Sequence, residues 1–126
     1  MNQKASKVKL SLAVVILVMS VAGFTSCEKY TYAPPAVDQN YEWSLKDDIQ
    51  PIFNAKCISC HGGGLAPDLR SDKSWNSLTK GGYVDLPAES STLYVQISTN
   101  SSHIPKTSDV EKQKILYWIE QGANNN

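Results

Sequence analysis

The sequence predicts a small all-α domain running from about Trp43 to Ala123, and three patterns predict it. Ile49, Ile52 and Phe53 recur at i, i+3 and i+4, the spacing of one helix face. Ile115, Trp118, Ile119 and Gly122 extend that spacing to i+7 near the other end. Ser108 and Glu111, just ahead of them, are spaced as a capping box. Between the two, "SWNSLTKGG", Ser74 to Gly82, starts on serine and closes on glycines, as a short helix does.

The chain has 126 residues, with 12 Lys/Arg balancing 12 Asp/Glu. One domain is expected, and a strongly basic nucleic-acid binder is excluded. The beginning is not globular. Lys4, Lys7 and Lys9 precede the apolar run "LSLAVVILVMSVAGF", Leu10 to Phe24, and "TSCEK" follows. A positive start, a short apolar middle and small residues before a cut are the parts of a secretory signal. The run is shorter than the roughly 20 residues a bilayer-spanning helix needs. Thr25-Ser26-Cys27 resembles a bacterial lipobox, in which the cysteine is lipidated and becomes the first mature residue; Phe24 departs from the aliphatic residue usual at its place. Residues 1–26 are therefore expected to be a lipoprotein signal peptide, with Cys27 as lipid anchor on the periplasmic side or the outer membrane. An ordinary signal cut nearby would instead leave Cys27 a lone exported thiol. Removing residues 1–26 takes three lysines and no acid, leaving nine Lys/Arg against twelve Asp/Glu, a formal charge of −3. That mild acidity favours solubility and names no partner.

Glu28 to Glu42, "EKYTYAPPAVDQNYE", has two prolines and no helical period. Residues 27–42 are accordingly expected to be a flexible tether, reaching at most about 50 Å when extended. Packing of Tyr30, Tyr32 and Tyr41 on the domain would shorten it. Residues 43–126 form the expected domain, whose final "NNN" is expected to fray. So small a domain gains from a metal or cofactor.

The first helix is expected to start at a cap on Asp47 or Asp48, with Pro51 in its first turn, where the missing N–H has no partner to lose. It leads into Cys57-Ile58-Ser59-Cys60-His61. Three chemistries compete for these residues. A redox dithiol would sit at the start of a helix after a strand, and "DDIQPIFNAK" reads as a helix instead. A structural zinc site needs four ligands; Cys57, Cys60, His61 and His103 could supply them, although adjacent Cys and His are awkward partners on one tetrahedral ion. Covalent haem attachment fits best. Each thiol of C-x-x-C can add to one vinyl group of a porphyrin, and the next residue, His61, is then placed under the iron. Export agrees with this, and so does the cysteine count: Cys27 takes the lipid, Cys57 and Cys60 the haem, and no thiol is left over in an oxidising space.

From Ile49 to Ala123 the chain resembles the small monohaem cytochromes c of bacteria, which read I-x-P-I-F, then C-x-x-C-H-G, then W-I-x-x-G-A. Here those stretches are Ile49-Gln50-Pro51-Ile52-Phe53, Cys57 to Gly62, and Trp118-Ile119-Glu120-Gln121-Gly122-Ala123. The resemblance implies three to five short helices wrapped around one covalently attached haem c, with the first and last helices crossing. It also decides an ambiguous segment: in "SSTLYVQIS", Ser90 to Ser98, Leu93, Val95 and Ile97 alternate as in a strand while Leu93, Tyr94 and Ile97 suit a helix. The resemblance implies the helix. It further implies that a proline carbonyl after the motif, here that of Pro67, accepts the second ring nitrogen of His61, as ligand histidines usually require.

One position departs from the family. Where its members place a methionine before proline, this chain reads Ser102-His103-Ile104-Pro105-Lys106, and Ile104 cannot ligate iron. Met1 and Met19 belong to the expected signal. His103 is the expected sixth ligand; an open or water-bound site and Lys106 are the alternatives, since neighbours in extended chain point opposite ways and His103 could face solvent. Loss of methionine is expected to lower the reduction potential.

Asp47, Asp48 and the lysines at 56, 73, 80, 106, 112 and 114 read as solvated surface, without a catalytic pair. The expected function is electron transfer rather than catalysis, by a tethered monohaem cytochrome working with redox partner proteins and no nucleic acid. The alternatives are a haem module that binds a small ligand at an open distal site, and a zinc-stabilised binding module without haem.

Overall fold

The computed structural model of the protein describes residues 36–126. The expected signal peptide, Cys27 and most of the expected tether lie outside the described residues. Helical turns make up 54% of these residues and no strand is present among them, as an all-α fold requires. Five α-helical segments follow in order: α1 (Gln50–Lys56), α2 (Ile58–His61), α3 (Ser74–Lys80), α4 (Thr92–Thr99) and α5 (Asp109–Glu120). A π-helical turn, Leu45–Ile49, leads into α1, and 3-10 turns occupy Ala88–Ser90 and Ile104–Lys106. No helix of the described residues is long and apolar enough to cross a membrane.

The helical path starts earlier than the carboxylates at 47 and 48 suggested. Ser44 is the cap: its hydroxyl accepts the Asp47 N–H at 3.2 Å, while Asp48 accepts the Ser44 N–H at 3.0 Å. Asp48 therefore returns the bond instead of opening the helix. The N–H groups of Ile49 and Gln50 reach five residues back, to the carbonyls of Ser44 and Leu45. This wide turn ends where Pro51 enters, a residue with no N–H to give and a ring that crowds the carbonyl four residues behind. Ile49 and Phe53 are wholly buried and Ile52 nearly so, the stripe that the spacing predicted.

Helix α5 opens on the expected box, with the Ser108 N–H donating to Glu111 at 2.7 Å and the Glu111 N–H donating to Ser108 Oγ at 3.3 Å. Ile115, Trp118 and Ile119 are buried against the Leu45–Ile49 turn and α4. The helix ends in a reciprocal pair of bonds, Gly122 N–H to Ile119 and Ala123 N–H to Trp118, both 2.9 Å, with Gly122 at φ +98°. That geometry favours glycine and closes the helix on its own carbonyls. Leu93 and Ile97 of α4 are buried, and Ser91 caps it, so the ambiguous segment is a helix. In α3, Ser74 is the first helical residue and wholly buried, and Lys73 stands at the cap without a side-chain bond.

The final asparagines do not fray. Asn126 accepts the Lys46 N–H at 3.0 Å through its main chain and the Leu45 N–H at 3.0 Å through its side chain. It thus satisfies donors at the start of the first helical turn. The carbonyl of Asn124 accepts Trp118 Nε1–H at 3.0 Å. At the other end, Val37 packs on the core and Gln39 donates to the Tyr117 hydroxyl at 2.9 Å. Gln121 brackets this strip, donating to the Tyr41 carbonyl and accepting the Trp43 N–H. The folded unit therefore reaches back past Trp43 to Val37.

Candidate functional site

Helix α2 is one turn long and consists of the motif itself. Cys57 and Cys60 lie at i, i+3 and Cys57 and His61 at i, i+4, so the three side chains share one face. The turn is closed by Cys60 and His61 N–H bonds to the Cys57 carbonyl, 3.1 and 2.9 Å. Gly62 follows because a Cβ there would stand 2.7 Å from the Ile58 carbonyl oxygen. All three motif side chains line a cavity of about 690 Å³, within the range of cofactor sites. Its other walls come from the 65–69 loop, from Leu93, Gln96 and Ile97 of α4, and from the segment Ser102 to Thr107.

His61 is fixed by its ring. Its Nδ1 lies 3.1 Å from the Pro67 carbonyl oxygen. A carbonyl can only accept, so Nδ1 carries the hydrogen and Nε2 keeps its electron pair, the form a metal ligand needs. The loop that delivers Pro67 is held on both flanks. The Leu69 N–H donates to the His61 carbonyl at 2.8 Å, and the Asp68 N–H donates to Ser77 Oγ of α3, also 2.8 Å. Beneath it, buried Gln50 donates to the Leu69 carbonyl at 2.9 Å and accepts from buried Ser74 at 2.6 Å. Outside, Arg70 forks onto Asp68 at 2.6 Å; hydrogen bonding from Arg70 holds the Asp68 carboxyl below its usual range.

Across the cavity stands His103, half-buried, with its ring centroid 6.2 Å from that of His61 and the planes inclined at 37°. Ile104, one residue on, is exposed. The segment is a 3-10 turn and not extended chain, so side chains three apart share a side: His103 and Lys106 both line the cavity while Ile104 faces out. Two metal–imidazole bonds of about 2 Å, with about 1.2 Å from each nitrogen to its ring centre, span roughly 6 Å. The centroid spacing of the two rings is close to that length, and both thiols line the same cavity.

Burial, then the charge of Glu111, pushes the Cys57 thiol up to about 11, with Lys56 opposing. Redox dithiols depend on the opposite shift. No group of three or more His, Cys, Asp or Glu among the described residues is placed to hold a metal ion by itself, which leaves the zinc alternative without a four-donor set there. Pro67 and His103 were reached through the resemblance and its departure. The flanking bonds of Gln50, Ser74 and Ser77 carried no sequence signal, because isolated polar residues on short helices look like surface until their partners are known.

Comparison with protein-family models, with curated proteins and with solved structures returned no match.

Proposed function

We propose that this chain is a membrane-tethered monohaem c-type cytochrome that carries single electrons in the periplasm or at the envelope surface. The observation that carries the reading is the cavity that joins Cys57, Cys60 and His61 on one wall to His103 on the other, with the two rings 6.2 Å apart. Haem c, when bound, would supply a one-electron iron couple. Cys57 and Cys60 would hold it covalently through its vinyl carbons. His61, kept in one tautomer by Pro67, and His103 would be its axial ligands. Leu69, Leu93 and Ile97 would exclude water from the ring, since all three are buried and line the cavity. Electron transfer is favoured over catalysis because both histidines that line the cavity are assigned a ligand's role. The anchor is assigned to Cys27, and the partners are redox proteins that meet the exposed side of the site around Cys60 and Leu65.

A second reading, reversible binding of a small ligand at the distal side, is favoured by one observation: His103 belongs to a short turn whose hydrogen bonds are local. The test of both is an absorption spectrum of the protein made in an exporting host with haem-attachment machinery, oxidised and reduced, followed by a denaturing gel stained for covalent haem. Covalent haem with a sharp low-spin reduced spectrum is expected. High-spin haem that takes carbon monoxide readily would move the reading to ligand binding, and a colourless protein would reject haem.

A further inference from the structure

His103 is gripped on its outer edge by two residues of its own turn. The Ser102 N–H points at Asn100 Oδ1 at 3.0 Å. An N–H can only donate, so the atom it meets is the amide oxygen; the amide nitrogen accordingly donates to Gln96 Oε1 at 2.7 Å. Ser102 Oγ lies 2.8 Å from the same amide oxygen. That oxygen has no hydrogen to give, so the single hydroxyl hydrogen of Ser102 is spent on it. Ser102 Oγ then has only electron pairs left for His103 Nδ1, 3.1 Å away. The ring nitrogen must be the donor. We infer that Asn100 and Ser102 are positioning residues for the distal histidine: they hold its hydrogen on Nδ1 and leave Nε2 as its free electron-pair donor.

The inference rests on the haem reading above, because an iron is what Nε2 would bind. It deepens that reading by giving the two axial histidines different supports. His61 leans on a carbonyl in a loop braced by buried Gln50 and Ser74. His103 leans on a hydroxyl, which is polarised in turn by an amide oxygen, in an exposed turn. Linked donors and acceptors strengthen one another, so the carbonyl of Asn100 reaches the iron's ligand through Ser102. Supporting partners of this kind typically change metal affinity about 10- to 100-fold when removed. The distal bond is therefore adjustable through two residues of the turn that carries it, neither of them an iron ligand.

The experiment uses haem-loaded protein from an exporting host and reads two quantities, the reduction potential and the cyanide concentration that half-displaces the sixth ligand of the ferric form. Ser102→Ala should lower that concentration about 10-fold and raise the potential, with an unfolding midpoint close to the parent's. Ser102→Thr, which keeps the hydroxyl, should restore both readings. Asn100→Asp should lower the potential, since a carboxylate pulls harder on the hydroxyl hydrogen, and that shift should vanish when Ser102→Ala is added. Parent-like readings for Ser102→Ala would overturn the relay and leave the haem assignment standing. A full Asn100→Asp shift surviving in the double variant would also overturn it, as a plain charge effect. A parent protein without covalent haem would overturn the proposed function and this inference together.

Discussion

Cys57 and Cys60 stand three residues apart on a single helical turn, and what each contributes can be separated chemically. If each thiol saturates one vinyl group, Cys57→Ala or Cys60→Ala leaves one vinyl conjugated with the ring. The reduced absorption band should then move to longer wavelength, while haem stays on the denatured chain through the remaining thioether. Loss of all covalent haem from either variant, with attachment machinery present, would show that the pair does not work as two independent links. The histidines separate in the same way. His61→Ala removes the proposed proximal ligand, whose partner loop is braced by α1 and α3, and is expected to abolish the low-spin spectrum and most of the yield of folded protein. His103→Ala removes the proposed distal ligand, held by an exposed turn, and is expected to give stable, high-spin iron that binds carbon monoxide. An unchanged low-spin spectrum for His103→Ala would pass the sixth position to Lys106 or to a group outside this chain.

At the scale of elements, what was legible depended on whether a residue's partner was local. The buried stripe of α1, the capping box of α5 and the glycine stop at Gly122 are local patterns, and the sequence carries all three in full. Ser44 is announced locally by its spacing to Asp47, the S-x-x-D pattern of a helix start, but the acids at 47 and 48 draw the eye past it and the π-helical turn ahead of Pro51 adds residues to the front of the helix. The "NNN" tail reads as frayed by composition, yet Asn124 and Asn126 serve donors near Trp118 and Leu45 that only the folded chain brings near. The site divides the same way: Cys57, Cys60 and His61 are one motif, whereas the side to which His103 faces is settled by the turn that exposes Ile104. Gly122→Ala tests the stop signal. At φ +98° a side chain is strained by about 1–3 kcal/mol, and no atom nearer than 3.8 Å crowds the new Cβ. The unfolding free energy should fall by that amount, read from the denaturation midpoint and slope, with the haem spectrum unchanged. A neutral Gly122→Ala would mean that the end of α5 relaxes into another closure.

Over the whole molecule, the cavity sets the terms of stability. The described unit has a compact but small core, with Trp118, Phe53, Ile49, Leu78, Ile115 and Ile119 as its wholly buried large side chains. Beside it lies a cavity of about 690 Å³. The cavity opens to solvent beside Cys60 and Leu65, so without an occupant it holds water against largely apolar walls, and covering those walls would add to stability. Leu69, Leu93 and Ile97 at its back are buried even so. If the proposed haem is the occupant, the chain without it should pack less firmly, as small metal-dependent domains do. Cys57→Ala/Cys60→Ala, or the parent exported without attachment machinery, should show weak, non-cooperative thermal unfolding by circular dichroism and rapid proteolysis, against a cooperative melt for haem-loaded protein. The proposed lipid anchor offers an internal control: Cys27→Ala should free the protein from the membrane fraction and leave that cooperative melt intact, since a lipid and the core would be separate requirements. A haem-free double variant that melts as cooperatively as the parent would show that the cavity is tolerated empty. The haem would then be a passenger on a self-sufficient helical domain, and the argument from core size would fail.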